Sequence, residues 1–371
     1  MDDRKQKLNH MMDHLEDFTK EYCDFLPADI PELFSFPTTV EFLRNHVSPN
    51  VPFVLRNGVS HWPAIKKWKN NQYLRVQMQD KMCTVAVTPN GYADAIVDDK
   101  FVLPEERTMP FTEFLDEMES PRESRVFYLQ KQNNCLADEF SSLLNDVDTH
   151  IPWATDAIGD LPEAANFWLG DKRAVTSLHK DNYENIYCVI RGCKEFLLYP
   201  PVAVLWMPYE TFQKSEYYFE DDEFKIKDLN AKLSSINELK FVEWRLKNIN
   251  THQLVARISL ENTSVKWIPF DPEFPDFRKY PMLLQIRSYK VILKQGDVLY
   301  LPSLWFHHVR QSHSCIAVNY WYEMKYDGKY PFFYLMDKLG QLSISSTIKD
   351  TPESEEESES RSENSISGCH E

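Results

Sequence analysis

The sequence predicts a mainly β fold, an antiparallel sandwich or barrel with helices flanking it. From residue 51 onward, short apolar runs alternate with Gly, Pro and Asn turn residues, which is typical of many short antiparallel strands. Residues 1–24 and the stretch YPFFYLMDKLGQL instead have helical spacing. With 43% hydrophobic residues in a chain of 371, there is ample material for a core.

The first 50 residues are expected to form an N-terminal helical segment. Between Leu8 and Phe18, apolar residues recur at intervals of three or four, as on one face of a helix. A second helix is predicted for TTVEFLRNHV, where one of the two leading threonines would cap the helix and Glu41 lies in the first turn.

The predicted strands occupy residues 51–340, which we interpret as one domain. The main candidates are apolar runs bounded by turn residues, namely CTVAVTPNGYADAIV, RVFYLQKQ, ENIYCVIRG, CKEFLLYPP, SYKVILKQGDVLYLP and SCIAVNYWYE. Residues at about 221–264 break this rhythm, and we interpret them as an insertion. Residues 341–371 include TPESEEESESRSENS and predict a disordered acidic tail, because so few apolar residues cannot order a segment.

Composition limits the functional classes. The net charge of -16 argues against direct nucleic-acid binding, because no basic stripe is present to neutralise phosphates. No apolar stretch approaches the roughly 18 residues of a membrane span, and the N-terminus is too polar for a signal peptide, so we expect a cytoplasmic and/or nuclear protein. The seven cysteines contain no C-x-x-C pair, so neither a zinc finger nor a disulfide framework is predicted.

Residues 176–185 read TSLHKDNYEN, in which one residue separates His179 from Asp181. Alternate side chains of a β-strand point to the same face, so the imidazole and the carboxylate would converge while Lys180 points away. A similar His-x-Glu pair at residues 14–16 is discounted, because side chains two apart on a helix diverge. The pair on the strand predicts two of the three ligands of a metal site.

The third ligand is predicted within DVLYLPSLWFHHVRQS. Neighbouring residues of a strand face opposite sides, so only one of His307 and His308 points inward, and the apolar Trp305 and Val309 on the same face favour His307. Two histidines and one carboxylate on iron leave positions for a chelating co-substrate and O2, as in non-haem Fe(II) oxygenases. The same ligands could hold zinc and a water, but no H-E-x-x-H helix supplies the general base of a hydrolase.

Several motifs together resemble the Jumonji-C family of 2-oxoglutarate oxygenases. They are the H-x-D pair, Lys194 fifteen residues after the first ligand, GDVLYLPSLWFHHV and AVNYWYE. The resemblance covers most of residues 35–340 and implies a double-stranded β-helix of the jelly-roll, cupin type. Further segments are similar to family members that hydroxylate lysine side chains and are also described as peptidases, namely VTPNGYADA, YLQKQNN, NFWLGDKRAVTSLHKDNYENIYCVI and WIPFDP.

The resemblance implies Fe(II) bound by His179, Asp181 and His307, with 2-oxoglutarate and O2 as co-substrates. It implies that Lys194 pairs with the distal carboxylate of 2-oxoglutarate. The other implied contacts to the co-substrate are two hydroxyl groups, two amides and an aromatic wall, from Tyr128, Thr176, Asn185, Asn319 and Trp321. A buried carboxylate needs such donors, since an unpaired one costs several kcal/mol.

The expected function is hydroxylation of a protein substrate at C3 of a lysine side chain. The resemblance implies a translation-associated GTPase of the developmentally regulated type as substrate and an acidic rim for the lysine ammonium, for which Asp94, Glu184 and Asp327 are candidates. The alternatives are a metal-dependent endopeptidase acting on basic, histone-like tails, a JmjC histone demethylase, and a cupin scaffold without catalysis. The N-terminal helices could also support a homodimer.

Overall fold

The computed structural model describes residues 2–220, 223–229 and 263–348. Within these ranges the α-helices are α1 (Asp2–Asp24), α2 (Thr39–Phe42), α3 (Pro63–Lys67), α4 (Asn71–Met78), α5 (Phe111–Glu119), α6 (Pro152–Ile158) and α7 (Lys329–Ile348). The strands up to the first metal-ligand candidate are β1 (Glu32–Leu33), β2 (Phe53–Leu55), β3 (Met82–Thr88), β4 (Tyr92–Ala93), β5 (Ala95–Val97), β6 (Lys100–Leu103), β7 (Glu105–Pro110), β8 (Val126–Leu129), β9 (Ala164–Gly170) and β10 (Val175–Lys180).

The remaining strands complete the sheets. They are β11 (Tyr183–Arg191), β12 (Cys193–Tyr199), β13 (Glu210–Glu220), β14 (Glu223–Asp228), β15 (Ser264–Trp267), β16 (Tyr289–Lys294), β17 (Val298–Leu301), β18 (Phe306–Gln311) and β19 (Cys315–Glu323). The six main strand predictions are confirmed by β3 to β5, β8, β11, β12, β16 with β17, and β19. Most of the expected insertion, residues 230–262, and residues 349–371 of the expected tail lie outside the described residues.

Two facing sheets form the jelly roll. The larger has the order β1-β2-β17-β11-β19-β9-β8-β3-β7, and the smaller has the order β16-β12-β18-β10-β4. Consecutive strands alternate between the two sheets from β9 to β12 and again from β16 to β19, which is the winding of a double-stranded β-helix. The expected fold class is confirmed. A third sheet, β14-β13-β6-β5, carries β15 beside β13.

Buried side chains divide into three layers according to the face of each sheet. The interior between the sheets contains Tyr187 and Val189 of the larger sheet against Phe196 and Leu198 of the smaller one. The outer face of the larger sheet packs on α2 to α6, and the outer face of the smaller sheet packs on α1, α7 and the turn Pro201–Leu205. The interior is therefore sheltered on both sides, which suits a site that must exclude water.

The second helix and the last helix predicted from the sequence are both present in the structure. The predicted cap of the second helix is confirmed, because the Thr38 hydroxyl accepts a hydrogen bond from the Glu41 amide and the Glu41 carboxylate accepts one from the Thr38 amide. The helix predicted from YPFFYLMDKLGQL lies within α7. In the described part of the chain, no helix has the length and apolar character needed to cross a membrane.

A buried carboxylate fastens α7 to the sheet. Glu184 of β11 is 3% exposed, and it accepts hydrogen bonds from the Tyr300 hydroxyl at 2.7 Å and the Ser303 hydroxyl at 2.9 Å. The Ser303 amide donates a third at 3.2 Å, and the Lys329 ammonium, at the start of α7, donates a fourth at 3.0 Å. A buried charge with this many partners is tolerated, whereas removing one member leaves a buried charge without its partner and destabilises the fold.

Glu184→Ala should reduce the free energy of unfolding by about 3 kcal/mol, because it removes the acceptor shared by four donor groups. The measurement is urea unfolding of wild type and variant. The matched control is Glu220→Ala, which removes an exposed carboxylate paired with Lys225 at 2.8 Å and should change the stability by less than about 1 kcal/mol. Equal losses in both variants would contradict the anchoring role of Glu184.

Candidate metal centre

The three predicted metal ligands lie together inside the jelly roll. His179 on β10 is the cross-strand partner of His307 on β18, and Asp181 follows in the turn to β11. The Asp181 carboxylate is 3.8 Å from Nε2 of His179 and 3.7 Å from Nε2 of His307. All three ligand atoms lie within 4.8 Å of one another. The convergence expected from the H-x-D spacing is present in the structure.

A bulge in β10 directs His179 into the interior. Thr176 pairs with Val309, but His179 pairs with His307, so three steps along β10 match two steps along β18. In a regular strand, residues three apart point to opposite faces; the extra residue brings Thr176 and His179 to the same face. Leu178 points the other way and packs in the outer layer. The bulge therefore places the first ligand.

Backbone carbonyl groups set the orientation of both imidazoles. Nδ1 of His179 lies 2.8 Å from the Ser177 carbonyl, and Nδ1 of His307 lies 3.1 Å from the Trp305 carbonyl. Because a carbonyl oxygen only accepts, Nδ1 must carry the proton in each ring. The unprotonated Nε2 atoms are left to face Asp181, and such contacts are what orients histidines that bind metals.

Burial keeps His307 ready to act as a ligand. Desolvation and the nearby His179 lower the pKa of His307 to about 4, against the opposite effect of Asp181. A histidine binds a metal only as neutral imidazole. Since the lowered pKa favours the neutral form, protonation of His307 competes with metal binding only below about pH 4, far from neutral pH.

The donor set fits a divalent transition metal. Ligand atoms lie about 2.0–2.2 Å from such an ion, so one ion reaches two atoms up to roughly 4 Å apart. The carboxylate-to-imidazole distances of 3.7 and 3.8 Å are within this reach. Two histidines and one carboxylate form the facial triad of non-haem Fe(II) oxygenases, which leaves other positions for co-substrates.

The neighbouring histidine belongs to the other face. His308 is 3% exposed, and its Nε2 is 3.9 Å from the Asp271 carboxylate. Burial lowers the pKa of His308, although the nearby Asp271 and Glu273 carboxylates act in the opposite direction. Trp305 packs in the interior layer. The structure thus places His307 on the inner face of β18 and His308 on the opposite face.

A buried ammonium group lies in the same interior. Lys194 on β12 is 2% exposed, and its Nζ donates to the Tyr128 hydroxyl at 3.0 Å, which joins the smaller sheet to the larger one. No carboxylate pairs with Lys194 among the residues that the structure describes. Burying a charge without an opposite charge is costly, so the pair Lys194 and Tyr128 fits an anionic ligand such as a carboxylate.

Strand register places Lys194 and Thr176 on the inner face of the smaller sheet, which also carries His307. Lys194 is the partner of Gln311, and Leu198 is the partner of His307. Four steps along β12 therefore separate Lys194 from the row of His307, or roughly 13 Å. Thr176, half-buried, shares the inner face with His307 through the bulge. A five-carbon diacid such as 2-oxoglutarate suits the interval between the metal ligands and Lys194.

The two predicted amides are joined in one hydrogen-bond chain. The Trp168 indole donates to Asn319 at 2.7 Å, and Asn319 in turn donates to Asn185 at 3.0 Å. This order leaves the side-chain nitrogen of Asn185 as the terminal donor. Trp321 is the cross-strand partner of Asn185 and stacks on Tyr183 at 4.9 Å between ring centroids. The structure thus groups these residues on the inner face of the larger sheet.

Two residues near the metal ligands carry no role in the sequence analysis. Ser177 orients His179 through its carbonyl, while its hydroxyl donates to the Asp94 carbonyl. The Trp267 indole donates to the Ser177 hydroxyl at 3.3 Å, and its ring lies parallel to His179 at 6.2 Å. The sequence features that could have indicated these two residues are the position of Ser177 between Thr176 and His179, and the tryptophan at the start of the motif WIPFDP.

The three candidates for an acidic rim have different surroundings. Glu184 is buried and bonded to Tyr300, Ser303 and Lys329, so it is not available to a substrate. Asp327 is exposed and accepts from the Lys329 amide at the start of α7. Asp94 is half-buried and lines a large cleft beside β10. Only Asp94 lies next to the strand that carries His179.

Comparison with known proteins decides the family. A model of the cupin-like domain matches residues 39–328. The chain belongs to the cupin-like JmjC family. JmjC cupin enzymes are Fe(II)- and 2-oxoglutarate-dependent oxygenases, so the His179, Asp181 and His307 cluster is the kind of donor set that the family requires.

Three JmjC relatives align over nearly the whole chain. The human bifunctional peptidase and (3S)-lysyl hydroxylase JMJD7 is 41% identical over 87% of this chain and 93% of its own length. The lysine-specific demethylase JMJ32 of Arabidopsis thaliana is 35% identical over 89% and 92%, respectively. JmjC domain-containing protein E of Dictyostelium discoideum is 34% identical over 88% and 94%. The resemblance inferred from the sequence motifs is confirmed.

Asp181→Ala should weaken binding of Mn(II), a spectroscopic substitute for Fe(II), by at least about 100-fold, because it removes a charged ligand of the triad. The measurement is titration followed by electron paramagnetic resonance. His308→Gln is the matched control, since that side chain lies on the other face of β18, and its Mn(II) affinity should stay within about threefold of wild type. Unchanged affinity in the Asp181 variant would refute this metal site.

Proposed function

We propose that this chain is an Fe(II)- and 2-oxoglutarate-dependent protein hydroxylase acting at C3 of a lysine side chain. The observation that carries the proposal is that one jelly-roll interior contains both a three-ligand cluster, of which His307 is buried, and the buried ammonium of Lys194. An oxygenase needs both groups, whereas a hydrolytic metal site needs no buried cation at this distance. Lysyl hydroxylation is supported by the JMJD7 relative, which carries that activity in its name.

The residues of this chain would divide the work as follows. His179, Asp181 and His307 would hold Fe(II), which with 2-oxoglutarate and O2 supplies the oxidising power to insert one oxygen into an unactivated carbon–hydrogen bond. Lys194 and Tyr128 would hold the distal carboxylate, with Thr176 adding a hydroxyl. Asn185, fixed by Asn319, would donate its amide near the metal end, and Trp321 would form a wall against water.

The proposed substrate is a translation-associated GTPase of the developmentally regulated type. Its support is the similarity to lysyl-hydroxylating family members, together with an acidic chain of net charge -16, which favours encounter with basic protein segments. Two other activities have a specific basis, because JMJD7 is also named a peptidase and JMJ32 a lysine-specific demethylase. Each predicts a different mass change in a peptide.

The test of the function is mass spectrometry of the GTPase and of histone-tail peptides, incubated with protein, Fe(II), 2-oxoglutarate and O2. We expect one added oxygen on a lysine, absent without 2-oxoglutarate and absent with Asp181→Ala. Loss of methyl groups from methyl-lysine would support the demethylase instead. Chain cleavage that does not depend on 2-oxoglutarate would show that the metal site is hydrolytic and would overturn the proposal.

Lys194→Met should raise the KM for 2-oxoglutarate by about 100-fold, because it removes a buried charge-assisted contact worth about 2–5 kcal/mol. Tyr128→Phe should raise it by about tenfold or less, since only one hydroxyl is lost. The measurement is initial-rate succinate production.

The matched control is Lys180→Met. Lys180 lies on the same sheet but on its other face, where its ammonium donates to Asn182 at 2.9 Å and lies over the Phe333 ring. Its KM for 2-oxoglutarate should stay close to wild type. An equal rise in the Lys180 and Lys194 variants would count against a specific carboxylate site at Lys194.

A further inference from the structure

A cleft of about 830 Å³ opens between the third sheet and the β3 to β8 part of the larger sheet. Thr84 and Ala86 of β3 line one wall, and Tyr217 of β13 lines the other. Asp94 is also part of the lining. The cleft is mostly polar, which suits a peptide rather than an apolar ligand, and its volume is sufficient for a short stretch of chain.

The cleft is joined to the metal centre through Ser177. Asp94 directly follows β4, whose Ala93 pairs with Thr176 of β10. The Ser177 hydroxyl donates to the Asp94 carbonyl, and the Ser177 carbonyl accepts from Nδ1 of His179. One residue therefore contacts both Asp94 and a metal-ligand candidate, so the part of the cleft formed by Asp94 borders the site of the triad.

The charged residues of the cleft do not balance. Six such residues line it: Asp94, Glu105, Glu106, Lys131, Glu216 and Lys227. Four already belong to ion pairs, namely Glu105 with Arg107, Lys131 with Glu139, and Glu216 with Lys227. Within the described ranges, the carboxylates of Asp94 and Glu106 have neither a hydrogen-bond partner nor an ion pair. Two carboxylates of the cleft therefore have no ion-pair partner among the described residues, whereas both of its lysines are paired.

Asp94 is the less exposed of these two carboxylates. It is half-buried, whereas Glu106 is exposed. Burial raises the pKa of Asp94 to about 6, with His179 acting in the opposite direction and Glu106 in the same direction. A carboxylate held away from water without a partner is unfavourable, and a cation supplied by a bound molecule would satisfy it.

We propose that Asp94 is the residue that selects lysine, its carboxylate accepting the ε-ammonium group of the substrate side chain in the cleft. This inference rests on the proposed lysyl hydroxylase function. C3 of lysine is bonded directly to the α carbon and lies four bonds from the ammonium nitrogen. When C3 faces the metal, the ammonium must reach a carboxylate near the metal ligands but outside them. Asp94 meets this requirement, and Glu106 adds negative potential in the same cleft.

The test compares two peptides that differ only in the ammonium group. One is a GTPase peptide centred on a lysine, and the other has norleucine at that position. Binding is measured by fluorescence anisotropy with the Mn(II)- and 2-oxoglutarate-loaded protein without O2. Wild type should prefer the lysine peptide by about tenfold, the effect of one charge-assisted contact. Asp94→Asn should abolish this preference by weakening only the lysine peptide.

The matched control is Glu216→Gln, which removes the same charge from the same cleft but from a carboxylate already paired with Lys227 at 2.7 Å. It should keep the preference for lysine. A preserved preference for lysine in Asp94→Asn, or the same lysine-specific loss in Glu216→Gln, would overturn the assignment. The norleucine peptide also reports on folding, because a misfolded variant would bind neither peptide.

Hydroxylation of the lysine peptide, followed separately by mass spectrometry, distinguishes the two levels of inference. A lysine preference that depends on Asp94, without any oxygen gain, would refute the proposed reaction and retain the ammonium site. Oxygen gain with a lysine preference indifferent to Asp94 would retain the reaction and refute the assignment of Asp94.

Discussion

The pairing of β10 with β18 is the constraint on which the site depends. It sets His179 opposite His307, and the bulge before His179 brings that side chain to the inner face without moving Leu178 out of the outer core. Backbone carbonyls then hold both rings, so the positions of the ligands come from the main chain rather than from flexible side-chain contacts. A change of register by one residue would turn the ligands away from one another.

The fold manages buried charge in two different ways. Glu184 accepts from four protein donor groups, including a lysine ammonium, and its charge is compensated within the chain. Lys194, equally buried, has a tyrosine hydroxyl but no carboxylate among the described residues. The contrast separates an anchor of the structure from a group prepared for a ligand, because a protein that binds an anion must leave a cation incompletely satisfied. Asp94 is the converse case, because it is a half-buried carboxylate with no cationic partner among the described residues.

Much of the fold and the centre of the site could be predicted from the sequence. Period-two alternation and turn residues locate the strands, and the apolar Trp305 and Val309 at alternate positions favour His307 as the inward histidine. The bulge could not be predicted, because an extra residue leaves the local pattern of side chains almost unchanged. Glu184 was a candidate for the acidic rim only because it lies close to Asp181 in the sequence. Its role as an anchor could not be predicted, because its partners Tyr300 and Lys329 are brought to it only by tertiary folding.

The separation of β10 from β18 along the chain has a consequence for biosynthesis. All of β11 to β17 lies between them, so a ribosome exposes His179 and Asp181 well before His307. Until β18 emerges and pairs, the chain offers two ligands on an unclosed sheet, and closing so long a segment is slow. Metal binding at these three residues would then be a late event that stabilises only the completed domain, and truncated products would lack that stabilisation.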